Sequence, residues 1–141
     1  MENRTVDMQE EWVKIGVDLI PKGRFIVTSL VQDADGVKIA LDDEKTSVEI
    51  FFDGIPSMLR SSTEGIRMRT WGEVQTKYKD KSFFRNWFLF MVRKSSLTKW
   101  VTEESCNYYD TVELRHFCIV TSEELIDIIA SFDPVIRVSE L

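Results

Sequence analysis

FIVTSLVQDADGVKIALDDEKTSVEIFFDG, residues 25–54, is the stretch whose pattern decides the fold. Apolar side chains fall at odd or even positions within each run: Phe25, Val27 and Val31, then Val37, Ile39 and Leu41, then Val48, Ile50 and Phe52. A period of two places alternate side chains on one face of a strand. Asp33-Ala34-Asp35-Gly36 separates the first two runs, and its Asp-Gly pair suits the positive φ of a tight hairpin turn. Asp42-Asp43-Glu44-Lys45-Thr46 separates the next two, and Asp53-Gly54-Ile55-Pro56 ends the third. Three strands joined by short acidic turns make an antiparallel meander.

Upstream, Val13, Ile15, Val17 and Leu19 alternate with Lys14, Gly16 and Asp18, but Trp12, Ile15 and Leu19 also fit a helix. Residues 6–20 therefore stay open between strand and helix until Pro21-Lys22-Gly23 breaks the segment. Downstream, Ile66, Met68 and Thr70 alternate with Arg67, Arg69 and Trp71, which predicts a strand. FFRNWFLFMV, residues 83–92, predicts a strand buried on both faces. Ser95 or Ser96 caps a short helix carrying Leu97, Trp100 and Val101 at i, i+3 and i+4. Val112, Leu114, His116, Cys118 and Val120 line one face of a further strand, with Phe117 and Ile119 on the other. Thr121-Ser122-Glu123-Glu124 reads as a capping box opening a second helix, with Leu125, Ile128 and Ile129 as its stripe and Asp133-Pro134 as its stop. Val135 to Val138 adds a short terminal strand. The expected architecture is one α+β domain over residues 1–141: β-rich, mainly an antiparallel meander, with two short helices in the C-terminal third.

Composition narrows the classes. The chain has 141 residues, 43% hydrophobic and 30% charged, which excludes a disordered segment. Two Cys and one His exclude both a disulfide scaffold and a structural zinc site of the Cys/His kind. No metal and no cofactor is expected. The opening MENRTVDMQEEWVK has no apolar signal-peptide region, and the longest apolar run, Trp87 to Val92, is far short of a membrane span. The expectation is a cytoplasmic protein without a membrane partner, its Cys106 and Cys118 kept as thiols and Cys118 packed as a small hydrophobe.

The net charge of −6 is segregated. Residues 1–59 hold 12 acids and 6 bases; residues 60–100 hold 10 bases and 3 acids; residues 101–141 hold 9 acids and 2 bases. Asp33, Asp35, Asp42, Asp43 and Glu44 sit at the expected turn tips, where side-by-side tips would present one negative field to a basic partner. The basic middle interleaves Arg60, Arg67, Arg69, Lys77, Lys79, Lys81 and Arg85 with Trp71, Tyr78, Phe83, Phe84 and Trp87, a mixture that can grip single-stranded nucleic acid. The contiguous aromatics read as core instead, and a pI near 4.9 opposes a nucleic-acid partner.

His116 is the one side chain suited to acid–base work near neutral pH. On a strand face with Leu114 and Cys118 it reads first as a hydrogen-bonded structural His. Ser105-Cys106 is the nucleophile pair weighed against it. No Gly-x-Ser-x-Gly elbow, phosphate loop, dinucleotide fingerprint or His-Glu-x-x-His occurs, so no catalytic residue is assigned and the chain is read as not an enzyme.

Residues 95–136, SSLTKWVTEESCNYYDTVELRHFCIVTSEELIDIIASFDPVI, carry a further pattern. An aromatic stands four residues before Glu-Ser (Trp100, Glu104, Ser105), a His-aromatic pair lies on a strand (His116, Phe117), and Thr121 and Pro134 follow. This resembles small immunity proteins encoded beside polymorphic toxins of Gram-positive bacteria, at cell-wall-associated and LXG-type toxin loci. The resemblance implies a non-catalytic inhibitor that binds a cognate toxin domain. On that reading the five turn acids meet the toxin, an exposed Tyr108 or Tyr109 anchors the contact, and Trp100, Glu104, Ser105 and His116 keep the fold, with Trp100 packing the helix on the sheet and Glu104 orienting a neighbour through a hydrogen bond. The alternatives are a module for another partner, including self-association through a strand edge, and a small enzyme centred on His116.

Overall fold

The computed structural model describes residues 9–108 and 112–141. The meander forms as its alternation predicts. β2 (Ile26–Asp33), β3 (Gly36–Asp42) and β4 (Thr46–Asp53) pair in sequence, and β9 (Val135–Glu140) returns to pair with β4. Gly36 at φ 136° makes the first turn, where a Cβ would lie 1.9 Å from the carbonyl oxygen of Phe52. Only glycine fits both that backbone and that approach.

A second sheet runs β1-β6-β7-β8-β5, with β1 at Glu11–Lys14, β5 at Met58–Thr63, β6 at Leu89–Arg93, β7 at Arg115–Val120 and β8 at Glu124–Ala130. Every pairing in both sheets is antiparallel. One face of the five-stranded sheet meets the meander: Phe117 lies 5.4 Å from Phe52 across the interface, within one core that includes Val37, Ile39, Leu41, Val48 and Ile50. The opposite face carries α1 (Met68–Tyr78), α2 (Phe83–Asn86) and α3 (Ser96–Glu104). Trp12, Phe83 and Phe84 crowd Phe90 there at 5.7, 5.2 and 5.5 Å between rings. Leu97 and Val101 of α3 pack with Ile129. The molecule is thus β-rich α+β, and none of its described helices is long and apolar enough to cross a membrane.

Three elements depart from their expected form. Residues 64–78, read as holding a strand, are a 3₁₀ turn followed by α1. Ile66 and Met68, which suggested the alternation, point to solvent at 74% and 58% exposure, whereas Trp71, Val74 and Tyr78 join the core at helical spacing. Residues 83–92 begin with the short α2, and the strand starts only at Leu89. The third is the expected C-terminal helix, which is β8. Thr121 acts as its capping residue would, its Oγ1 accepting from the amides of Glu123 at 3.2 Å and Glu124 at 3.1 Å. The same hydrogen bonds close the β7–β8 turn, where Thr121 N donates to Glu124 O at 2.9 Å. Among the described residues the C-terminal third therefore holds one helix, α3, and of the two serines expected to cap it, Ser95 does so. Residues left open upstream resolve into β1 and a turn at Val17–Leu19, and the terminal strand forms as β9.

Thr121→Val removes the acceptor for both amides and is expected to destabilise the chain by about 1 kcal/mol in urea unfolding. A Thr121→Ser variant retains the hydroxyl and should unfold near the wild-type midpoint.

Candidate functional site

The helix-covered face of the five-stranded sheet buries a chain of polar side chains. Strand register sets it: Arg60 of β5 lies opposite Asp127 of β8, and Asp127 opposite Cys118 of β7. His116 is two residues before Cys118 and so shares its face. Asp127 is fully buried and His116 is 3% exposed. Asp127 Oδ2 accepts from Arg60 Nε at 2.9 Å and Arg67 Nη1 at 2.6 Å, while Arg60 Nη2 also lies 2.9 Å from it. Asp127 Oδ1 lies 2.8 Å from His116 Nε2, and His116 Nδ1 lies 2.7 Å from Ser95 Oγ. Ser95 Oγ also accepts from Thr98 N at 3.1 Å, as the N-cap of α3. Both ring nitrogens of His116 thus have hydrogen-bond partners, Asp127 at Nε2 and Ser95 at Nδ1.

Burial alone would raise the Asp127 carboxyl. The His116 hydrogen bond and the charges of His116, Arg67 and Arg60 outweigh it and hold the group well below the ordinary carboxylate range. Burial pushes the Cys118 thiol up, and the neighbouring Asp127 charge adds to this, so Cys118 stays protonated as a core residue. His116, Cys118 and Asp127 place three donor atoms within 4.8 Å of one another. Both ring nitrogens of His116 are already hydrogen-bonded, and two guanidinium groups on Asp127 repel a further cation.

Ser95, His116 and Asp127 occur in the order of a nucleophile, base and orienting carboxylate. The electrostatics differ from such a triad. There the carboxylate stabilises the imidazolium formed during reaction, whereas two arginines already neutralise Asp127. What the chain does locally is tie α3, β7, β8, β5 and the turn at Glu64–Arg67 to one buried charge.

The turn acids do not gather into one field. Successive turns of a meander lie at opposite ends, so Asp33 and Asp35 are separated from Asp42, Asp43 and Glu44 by the length of β3, about 20 Å. At the first end, Asp33 pairs with Gly36 and Gly36 with Asp53, bringing an acid that the turn-by-turn reading did not select beside Asp33 and Asp35. All three are exposed, and none forms an ion pair with a described residue. At the other end, Lys45 stands in the turn and the Lys22–Arg24 loop lies against Asp43, so positive charge dilutes the field. Asp33 and Asp43 also build their turns, Asp33 Oδ1 accepting from Asp35 N at 2.8 Å and Asp43 Oδ1 from Lys45 N and Thr46 N at 2.8 and 2.7 Å.

The remaining residues of the 95–136 pattern separate. Trp100 does not pack α3 on the sheet. It is 51% exposed, and Leu97 and Val101 do the packing, because they occupy the helix face turned toward Ile129. Glu104 is exposed on the last turn of α3, and no hydrogen bond joins its carboxylate to another described residue. Ser105 donates to Thr102 O at 3.0 Å at the far end of α3, so the serine that reaches His116 is Ser95, not Ser105. Tyr108 is 79% exposed, and Tyr109 lies outside the described residues. From sequence, Asp127 is not selected and Arg60 and Arg67 are placed only in the basic strip, because each looks like a surface charge; a lone acid in the apolar run LIDII is the available signal.

Asp127→Asn leaves two guanidinium groups without their carboxylate and is expected to cost about 3–5 kcal/mol. The depressed carboxyl also fixes the acid dependence. Its contribution is complete above the unfolded-chain value of about 3.9 and is lost as pH falls through the lower folded value. Wild-type stability, followed by denaturant midpoints, should therefore fall more steeply below about pH 4 than that of Asp127→Asn. No protein-family model matches this chain, nor does a curated protein sequence or a solved structure.

Proposed function

We propose that the chain is a non-catalytic immunity protein that binds and neutralises a cognate secreted toxin domain in the cytosol of the cell that makes it. A nuclease is the toxin chemistry that suits its charge best. The observation that carries this reading is the exposed row of Asp33, Asp35 and Asp53 at one end of the meander. A nuclease must hold phosphates, so its cleft is basic, and an acidic end enters such a cleft with electrostatically steered association. The resemblance of residues 95–136 to immunity proteins supports the same reading. So does the internal use of His116 as a structural tie.

The test uses the toxin domain encoded directly upstream. Binding should be stoichiometric, and joint reversal of Asp33, Asp35 and Asp53 to Lys should slow association about tenfold at low salt and flatten its salt dependence. Reversal of Asp42 and Glu44 should have a smaller effect. An unchanged on-rate would remove the acidic end from the mechanism, and absence of binding would remove the immunity reading.

A second reading, a small hydrolase, is favoured by one arrangement. Ser95 stands at a strand–turn–helix junction behind Lys94 at φ 53°, and it lines with His116 a groove of about 720 Å³. A fluorophosphonate separates the two. On the immunity reading Ser95 is not labelled, and Ser95→Ala still neutralises the toxin; covalent labelling at Ser95 favours the hydrolase.

A further inference from the structure

The basic and aromatic residues of the middle segment find a use that toxin binding does not require. Five of the ring side chains near α1 and α2 wall a second cavity of about 450 Å³. On one side Trp71 and Phe84 lie 4.9 Å apart, tilted at 56°; on another Phe25 and Phe88 lie 5.0 Å apart at 39°, and Trp87 continues from Phe88 at 5.4 Å. The cavity is within the size range of small-molecule sites, which combine apolar walls with a few polar groups.

Its charged lining is Arg24, Arg85 and Glu64, a net charge of one positive. Arg24 and Arg85 are both exposed, and neither side chain forms an ion pair or hydrogen bond with a described residue. This sets them apart from Arg60 and Arg67, whose charges Asp127 consumes. Ser122 adds a hydroxyl group to the same lining, and the hydroxyl of Thr121 is committed to its turn. Trp87 Nε1 is spent on Ile15 O at 3.0 Å, while Trp71 Nε1 is buried without a hydrogen-bond partner. Two uncommitted guanidinium groups beside a ring-lined cavity are a combination that core packing alone does not call for.

We infer that this cavity is a binding site for a small planar aromatic acid, its ring against the Trp71–Phe84 and Phe25–Phe88 walls and its single carboxylate held by Arg24 and Arg85. Ring contact supplies the burial, and the guanidinium pair selects the anion. The net lining charge favours one negative charge over two. The site lies beside Asp43, at the opposite end of the meander from Asp33, Asp35 and Asp53, so it is independent of the toxin reading.

The experiment titrates the ¹⁵N-labelled full chain with 2-naphthoate, using 2-naphthalenemethanol and acetate as controls. The indole N–H signals of Trp71 and Trp87 should move and saturate with a Kd below about 1 mM, while that of Trp100 stays. The neutral alcohol, which keeps the ring, and acetate, which keeps the charge, should each bind at least about tenfold more weakly. Arg24→Gln and Arg85→Gln alter exposed side chains, so both should fold as wild type, and each should weaken naphthoate about fivefold or more. Equal binding of the alcohol, unchanged affinity in both variants, or an unmoved Trp71 signal at about 5 mM naphthoate would overturn the proposal.

Discussion

One buried carboxylate organises the helix-covered face of this protein. Asp127 stands in the middle of a strand whose neighbours are almost all apolar, and an isolated charge there would not survive burial. It is retained because two arginines and a histidine converge on its two oxygens. Each partner arrives on a different element. Arg60 comes with the edge strand β5, Arg67 with the turn leading into α1, and His116 with β7, which passes the chain of hydrogen bonds to the cap of α3. Losing the carboxylate would leave several elements with unmatched polar groups at once, which is why a buried pair is costly to break even where it adds little net stability.

That tie bears on chemistry as well as on structure. The sequential order of Ser95, His116 and Asp127 matches a hydrolytic relay, and the same residues tie elements of the fold together. A relay needs its carboxylate charge available to the imidazole and its serine oxygen available to a substrate. Here the charge is shared with two guanidinium groups, and the serine oxygen already caps a helix. The three residues thus link the start of α3 to β7 and β8.

The solvent-facing charges follow from topology. A meander alternates its turns between two ends, so acids that lie close in sequence separate in space, while acids far apart in sequence meet. Asp53 joins Asp33 and Asp35 because Gly36 pairs with it across β3 and β4. The basic middle divides similarly. Arg60 and Arg67 turn inward to Asp127, whereas Arg85 lines a cavity together with Arg24, which belongs to the acidic first segment. Net charge by segment therefore described neither the acidic end nor the ring-lined cavity.

By itself the sequence determined the meander, the β-rich α+β class, a serine cap at Ser95 or Ser96 and the burial of Cys118, since each depends on residues within a few positions of one another. Period-two alternation and turn residues specify strands locally. It misplaced the elements whose local signals have two solutions. Thr121 with the two following amides closes either a helix or a tight turn, and only the pairing of residues 124–130 between β7 and β5 selected a strand. Ile66 and Met68 alternate as in a strand, yet the core took Trp71, Val74 and Tyr78 at helical spacing. Tertiary structure alone decided the union of Asp127 with Arg60 and Arg67, at separations of 67 and 60 residues, because a buried ion pair exists only where distant elements meet.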